Sequence, residues 1–477
     1  MNTMASDVDV AVLEQVFGTA SEGASLEQRA KSSKKRFVRS LDQVAEWSAQ
    51  ATGRELSAYE VLSAYGMDVL RKVADEGYAP LCSSPRSAGD LVRERRGLLG
   101  LDVPYVAKAA GVDCDAVILL EAYKRVAIKK AENVAQILGL DERLLSWKSE
   151  PPPDNDRVAV RLRSVGQERP QLTPVVVAAI AEAAWVASTQ LRLERDLGIR
   201  PAPTPLEKSD NYGGPGYPPF QQGYYLASHA RDELKFGTGP LPIPLRELAE
   251  DRLGIPVVQT ELGSSIAGVT VEFGQDRAIV LNLSGKNRDV FVRRATVAHE
   301  LGHLLFDPAP RLETLRVDEY SDLERGAHEV RDPVEQRANA FGIEFLAPRA
   351  AVADYYRMAP DGEGVWAVMD HFGVSYTAAR YQIRNGLDQQ LPLERLVISG
   401  NRTPDVSWEG REGYTAIYHP IHAVRPSRAG RFSGVVVRAA EESVISWDTA
   451  ASMLESEASE VERAASAIKD LFPPVFG

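Results

Sequence analysis

The pentapeptide His299-Glu300-Leu301-Gly302-His303 constrains this chain more than any other stretch, because its spacing ties a local fold to a site. Residues four apart share one face of a helix, so His299 and His303 can offer imidazole nitrogens to one metal ion if their segment is helical. The surrounding run has that character: Phe291 to Phe306 contains no Pro and one Gly. Glu300, one position round the helix, stands beside the metal, where it can take a proton from a water. With 7 His in 477 residues, a chance His-Glu-x-x-His has a probability of about 1%. A metal site is therefore the leading reading, and two ordinary histidines on a helix face the lesser one.

Two histidines do not complete such a site, since a catalytic zinc takes three protein ligands and keeps a fourth position open for water. The strongest third candidate is Glu335, at the start of the helical run Glu335-Gln-Arg-Ala-Asn-Ala-Phe-Gly-Ile-Glu-Phe-Leu-Ala-Pro348. Ala338, Phe341, Phe345 and Leu346 can pack that helix back against the first. Glu344 on the same run, and Glu329 and His328 in a polar stretch, are its rivals. Upstream, Leu245 to Leu253 reads as an amphipathic helix and Gly254 to Val258 begins strand-like sequence. Ile266–Phe273 and Arg277–Leu283 read as two further strands. A strand just before the metal helix is expected to offer a free edge on which an extended peptide can pair across the metal.

These features together resemble the ImmA/IrrE family of zinc metallopeptidases, intracellular enzymes of bacteria and their mobile elements. The matching residues are a strand ending at Asn282, then Thr296-x-Ala-His-Glu-Leu-Gly-His303, then Glu335-x-x-Ala-Asn-x-Phe341 leading to Leu346-Ala-Pro348. A small helical module with Phe372-Gly-Val-Ser375 and Ala378-Ala-Arg-Tyr381 follows. The resemblance implies that His299, His303 and Glu335 bind the metal, that Glu300 is the general base, and that a specific partner is cleaved, often a DNA-binding repressor. Two departures stand out: Ala295 where an aromatic is usual, and an acid-rich insertion from Arg311 to Asp332. Tyr320, His328 and His371 are available as oxyanion donors, with nothing in the sequence to choose among them.

Outside this region, residues 88 to 147 read as four short helices: one around Leu91–Arg96, then Val103–Ala110, Cys114 to Glu121, and Ile128 to Leu138. The step Ala110-Gly111-Val112 gives the tight crossing of a helix-turn-helix, and the segment resembles the Cro/repressor-type (XRE) domain. Its recognition helix departs from that family, with Asp113-Cys-Asp-Ala-Val117 where base-reading polar residues are usual. Lys124, Arg125, Lys129 and Lys130 remain to hold a DNA backbone, so DNA binding and a protein-protein role both stay open. The net charge of −12 excludes a chain whose whole surface grips nucleic acid. Two cysteines, Cys82 and Cys114, form no disulfide framework. The longest apolar run, Pro174 to Ala187, contains Glu182 and reads as a buried helix rather than a membrane span.

The resulting expectation is a multidomain chain, mainly α with α+β parts. It comprises a helical segment 1–87, a helix-turn-helix domain 88–150, a helix and Pro/Gly-rich linker 151–222, a zincin-like α+β metallopeptidase domain 223–390, and a small α/β domain 391–477. Within the first segment, Val38, Leu41, Val44, Ala45 and Trp47 take helical spacing, and Lys31-Ser-Ser-Lys-Lys-Arg36 with Arg39 reads as a solvated helix face. In the last, Tyr414–Tyr418 and Gly434–Arg438 read as strands, and Trp447 opens a helical end. The expected cofactor is Zn2+, with manganese as the open substitute, and the expected location is the cytoplasm. Expected partners are a protein substrate, DNA through residues 88–150 and a second copy of the chain, with no membrane partner. The competing reading is a helix-turn-helix regulator whose metal domain senses or scaffolds without turnover.

Overall fold

In the computed structural model, the described residues are 10–81, 86–147, 172–200, 217–273, 276–307, 316–320, 332–387, 391–398, 406–412 and 419–476. The chain divides into two units, residues 1–200 with 417–477, and residues 201–416.

In the first unit, the helical reading of residues 1–87 is correct for Val10–Phe17, Leu26–Ser32, Ala58–Tyr65 and Met67–Glu76. Between them it fails. Strands β1 (Arg36–Arg39), β2 (Gln43–Glu46), β3 (Arg54–Ser57) and β4 (Tyr78–Pro80) form an antiparallel sheet in the order β3-β1-β2-β4. Alternation decides the matter: Phe37 and Arg39 of β1, and Arg54 and Leu56 of β3, all turn inward. Arg39 lies opposite Arg54 in the register, so two buried cations need an anion between them. Glu132 supplies it, 2.7 Å from Arg54 and 3.4 Å from Arg39. The basic cluster expected on one helix face is therefore split. Lys31 belongs to a helix, Arg36 lies 3.9 Å over the ring of Trp47, and Arg39 is in the core.

Four helices follow at Arg86–Leu98, Val103–Ala109, Cys114–Glu121 and Ile128–Ile137, close to the bounds read from sequence. Asp102 and Asp113 cap the second and third by accepting from Tyr105 N and Ala116 N, each at 2.7 Å. Pro174–Leu197 starts at a Thr173 cap and is long and apolar enough to cross a membrane. In this fold 78% of its most apolar window is buried within the protein, which makes it a core helix. Trp185 from it meets Phe432 edge-on at 5.8 Å.

Phe432 belongs to the helix Arg431–Glu441, which corrects the strand read at Gly434–Arg438. Val435, Val436 and Val437 are all buried, and packing on every side overrides their strand preference. Helices Trp447–Met453 and Ala458–Leu471 complete this end. Among the described residues of 391–477 there is no strand, so the small α/β domain is not observed. Residues 417–477 join the first unit instead, where Ser446 Oγ donates to Glu55 O at 2.6 Å and Asp448 pairs with Arg54 at 3.2 Å. The Tyr414–Tyr418 reading, the linker 151–156 and most of the Pro/Gly-rich stretch 201–222 lie outside the described residues.

The second unit is built on β5 (Val257–Thr260), β6 (Ile266–Phe273), β7 (Asp276–Asn282) and β8 (Arg316–Glu319), ordered β5-β7-β6-β8. β5 runs parallel to β7, while β6 is antiparallel to both β7 and β8. The first three strands fall where the sequence puts them. Helix Val290–Phe306 and helix Pro333–Leu346 pack closely because two small residues face each other's neighbours. A Cβ on Gly342 would lie 3.0 Å from His299 N, and one on Gly302 would lie 2.8 Å from the Phe341 ring. The helical module Gly364–Phe372 and Tyr376–Gly386 caps the same core through Phe372, Val374 and Ile383. Helix Val406–Glu412 is anchored there as well: Arg294 pairs with Glu412 and lies 4.4 Å over the Trp408 ring.

Candidate metal centre

Helix Val290–Phe306 begins at Asp289, whose carboxylate accepts from Phe291 N at 2.8 Å. Its position under the sheet is fixed by a polar relay. Thr296 Oγ1 donates to Asn287 Oδ1 at 3.0 Å, and Asn287 Nδ2 donates to Asn282 O at 3.0 Å and to Ala267 O at 2.8 Å. This is the work done by the Asn282 and Thr296 that the sequence offered as family matches. Close approach of β6 needs a glycine: a Cβ on Gly268 would lie 2.5 Å from Glu300 Oε1. Thr270, on the same strand, donates its hydroxyl to Glu300 Oε2 at 2.5 Å.

His299 and His303 point their Nε2 atoms at each other, 2.9 Å apart. Glu335 Oε2 lies 3.3 Å from the first and 3.5 Å from the second. Its helix is started by Pro333 and by Asp332, which accepts from Val334 N at 2.8 Å. A fourth donor enters from β8: Asp318 Oδ2 lies 3.8 Å from His299 Nε2, and the four donor atoms fall within 4.8 Å of one another. A tetrahedral zinc with bonds near 2.0–2.1 Å sets its ligand atoms about 3.3 Å apart. The spacing of the donors fits that geometry.

Electrostatics point the same way. Burial, followed by the facing Asp318 carboxylate, pushes the Glu300 carboxyl well above the usual range. Burial also works against a charged Glu335, yet hydrogen bonds from His299 and His303 hold its carboxyl well below the usual range. For His303, burial opposes the imidazolium, but the bonds to Asp307 and Glu335 prevail and push it up to about 10. Three carboxylates converging on two imidazoles in a buried space strain the charge balance, and a dication at their focus relieves it. Glu300 and Asp318 are both buried and face each other there, so without an ion the two carboxylates must share a proton, a need that a bound dication removes.

Asp307 completes the frame. Its Oδ2 lies 2.9 Å from His303 Nδ1 and its other oxygen pairs with Arg337, so the ring is turned to present Nε2 inward. Asp307 follows His303 by four residues, a helical spacing that sequence reading could have used. Asp318 carried no such signal, being one of several acids in the Arg311–Asp332 insertion.

The remaining candidates lie elsewhere or outside the described residues. Glu344 accepts from Gln382 Nε2 at 2.8 Å and takes no part in the cluster, while His328 and Glu329 are outside the described residues. Tyr320 donates its hydroxyl to Ser284 O at 2.8 Å and accepts from Asn287 N at 3.1 Å, a structural latch. His371 stacks on Tyr355 at 4.0 Å. The strand just before the metal helix, β7, offers no free edge, because it lies inside the sheet between β5 and β6, and the outer side of β6 is paired with β8 from Ile266 to Thr270. In the first unit, Lys124, Arg125, Lys129 and Lys130, the set proposed for DNA, are all exposed, with Lys129 paired with Asp448 at 2.6 Å and Lys130 with Asp113. Ile118 and Leu119 of the third helix are 51% and 41% exposed.

No curated protein matches the chain. Residues 250–384 match the family model of Peptidase M78, the IrrE N-terminal-like domain, a span that holds the sheet, both site helices and the helical module. This part of the chain thus resembles a metallopeptidase of the IrrE type.

Proposed function

We propose that the second unit is a zinc-dependent endopeptidase that cleaves a specific regulatory protein, a DNA-binding repressor being the leading substrate class. One observation carries the reading: His299, His303 and Glu335 converge at metal-ligand spacing with Glu300 buried beside them. These three residues would hold the metal. When bound, the ion would supply Lewis acidity, polarising a peptide carbonyl and lowering the pKa of water towards about 7.

The chain's own groups do the rest. Glu300 accepts the proton of the attacking water at Oε1, the oxygen left open by Thr270, and returns it to the leaving amine. Thr270 holds the other oxygen, so the carboxylate cannot swing away during that exchange. Asp307 keeps the His303 ring in the required tautomer. The site is buried and walled by Gly268, Thr270 and the two helices, which would keep the proton transfers local.

The test is direct. Full-length protein loaded with zinc and incubated with candidate repressors should give discrete fragments, and stoichiometric chelation should stop their formation. Intact repressors with zinc-loaded protein across the set would count against the peptidase. A second reading, a DNA-binding regulator, draws on the four helices at 86–137 and their exposed Lys124 and Arg125. Duplex binding that weakens on Lys124→Glu with Arg125→Glu would favour it.

A further inference from the structure

We infer that β8 is a resident strand lying where substrate must pair, and that its Asp318 serves as a fourth protein ligand to the metal, so the resting site is closed. This rests on the metallopeptidase reading and adds its regulation and the form in which substrate enters.

Two observations meet on one short strand. First, β8 adds antiparallel to β6, the strand that supplies Gly268 and Thr270 against Glu300. Val269 faces Val317 and Thr270 faces Arg316, so the backbone groups on that edge of β6 already bond to the protein's own chain. An extended peptide recognised by strand addition needs those same groups. Second, Asp318 is 4% exposed, faces the Glu300 carboxyl, and stands with its Oδ2 3.8 Å from His299 Nε2, inside the four-donor cluster. Two carboxylates buried against each other are costly to leave charged, and an ion at the focus of the cluster is the compensation that geometry provides.

Coordination chemistry gives the consequence. A zinc site with four protein donors is closed, whereas hydrolysis needs a position for water. With Asp318 in place the metal is held but has no room for water in a tetrahedral shell. Withdrawing β8 clears the edge of β6 and the fourth position together. Strand pairing and site opening are thereby coupled: a segment able to add to β6 as an extended strand is the one able to uncover the metal. The substrate class is an unfolded or locally extended stretch of a protein rather than a compact surface. Tyr320 sets the threshold, since it follows β8 directly and bolts it through Ser284 O and Asn287 N.

The experiment uses full-length protein substituted with cobalt(II) and titrated with acetohydroxamate, a bidentate ligand that needs open metal positions. Wild type should keep its visible spectrum through the titration, while Asp318→Ala should bind the hydroxamate at least about tenfold more tightly, with a spectrum that moves toward higher coordination. Tyr320→Phe, which loses the latch hydroxyl but keeps every metal-ligand atom, should fall between them. It serves as the measure if Asp318→Ala does not fold. Equal hydroxamate binding by wild type and both variants overturns the inference. Failure of wild type to bind cobalt overturns it together with the metal reading. A spectral difference without cleavage by any variant upholds the closed site and rejects the peptidase.

Discussion

Asp307 Oδ2 lies 2.9 Å from His303 Nδ1, one helical turn along, and holds the imidazole with its other nitrogen turned into the cluster. Such outer carboxylates raise ligand basicity and fix the ring, and their loss typically costs about 10–100-fold in metal affinity. Asp307→Asn should weaken zinc binding by about that factor in a chelator competition, with the fold retained. Unchanged affinity would mean that His303 is oriented by other contacts.

The pH dependence follows from the same histidine. In the metal-free protein His303 is pushed up to about 10, above its unfolded value of about 6.5. The stabilisation from its partners is therefore complete below about pH 6.5 and is lost as pH rises towards 10. Zinc requires the neutral ring, so binding releases a proton within that window and tightens as pH rises. Chelator-treated protein should lose thermal stability between about pH 7 and 9.5, while zinc affinity measured by competition climbs. A flat affinity profile over that interval would contradict this picture.

Helix approach is equally testable. A Cβ at position 342 would stand 3.0 Å from His299 N, against backbone that cannot swing aside. Gly342→Ala should cost about 1–3 kcal/mol in urea unfolding and should also weaken zinc binding, because the helix that carries Glu335 must retreat. Stability lost with zinc affinity intact would show that the site tolerates the shift.

In the first unit, Glu132 pairs with both Arg39 and Arg54, at 3.4 and 2.7 Å, and Asp448 lies 3.2 Å from Arg54. Removing the charge leaves buried guanidinium groups underpaired, a change that typically costs about 3–5 kcal/mol. Glu132→Gln should lower stability by about that amount in denaturant titration. A loss below about 1 kcal/mol would show that Glu142 O and Asp448 suffice for the pair.

What could be read in the sequence was local and periodic. His299, Glu300 and His303 share a helix whose spacing announces itself, and the strands Ile266–Phe273 and Asp276–Asn282 are rich in Val, Ile and other apolar residues. Thr173-Pro174 named the start of its helix because cap chemistry is short-range. The misses were decided at long range. Residues 36–57 form strands because Arg39 and Arg54 meet Glu132, 93 and 78 residues onward, and no window around Val38 or Val44 contains that fact. Val435–Val437 became helical because every side of them is packed. Asp318 joined the cluster through strand pairing with β6, which places one acid of an acidic insertion and leaves its neighbours unmarked.

The central claim is that Glu300 moves the proton at a metal held by His299, His303 and Glu335, and the comparison of wild type with Glu300→Gln tests it most directly. Both proteins, purified without chelator, should carry about one zinc per chain, because Gln keeps the shape and Glu300 is outside the ligand set. Cleavage of a repressor that wild type cuts should fall by about 10²–10⁴-fold in Glu300→Gln. Equal cleavage rates in two equally zinc-loaded proteins would contradict the account.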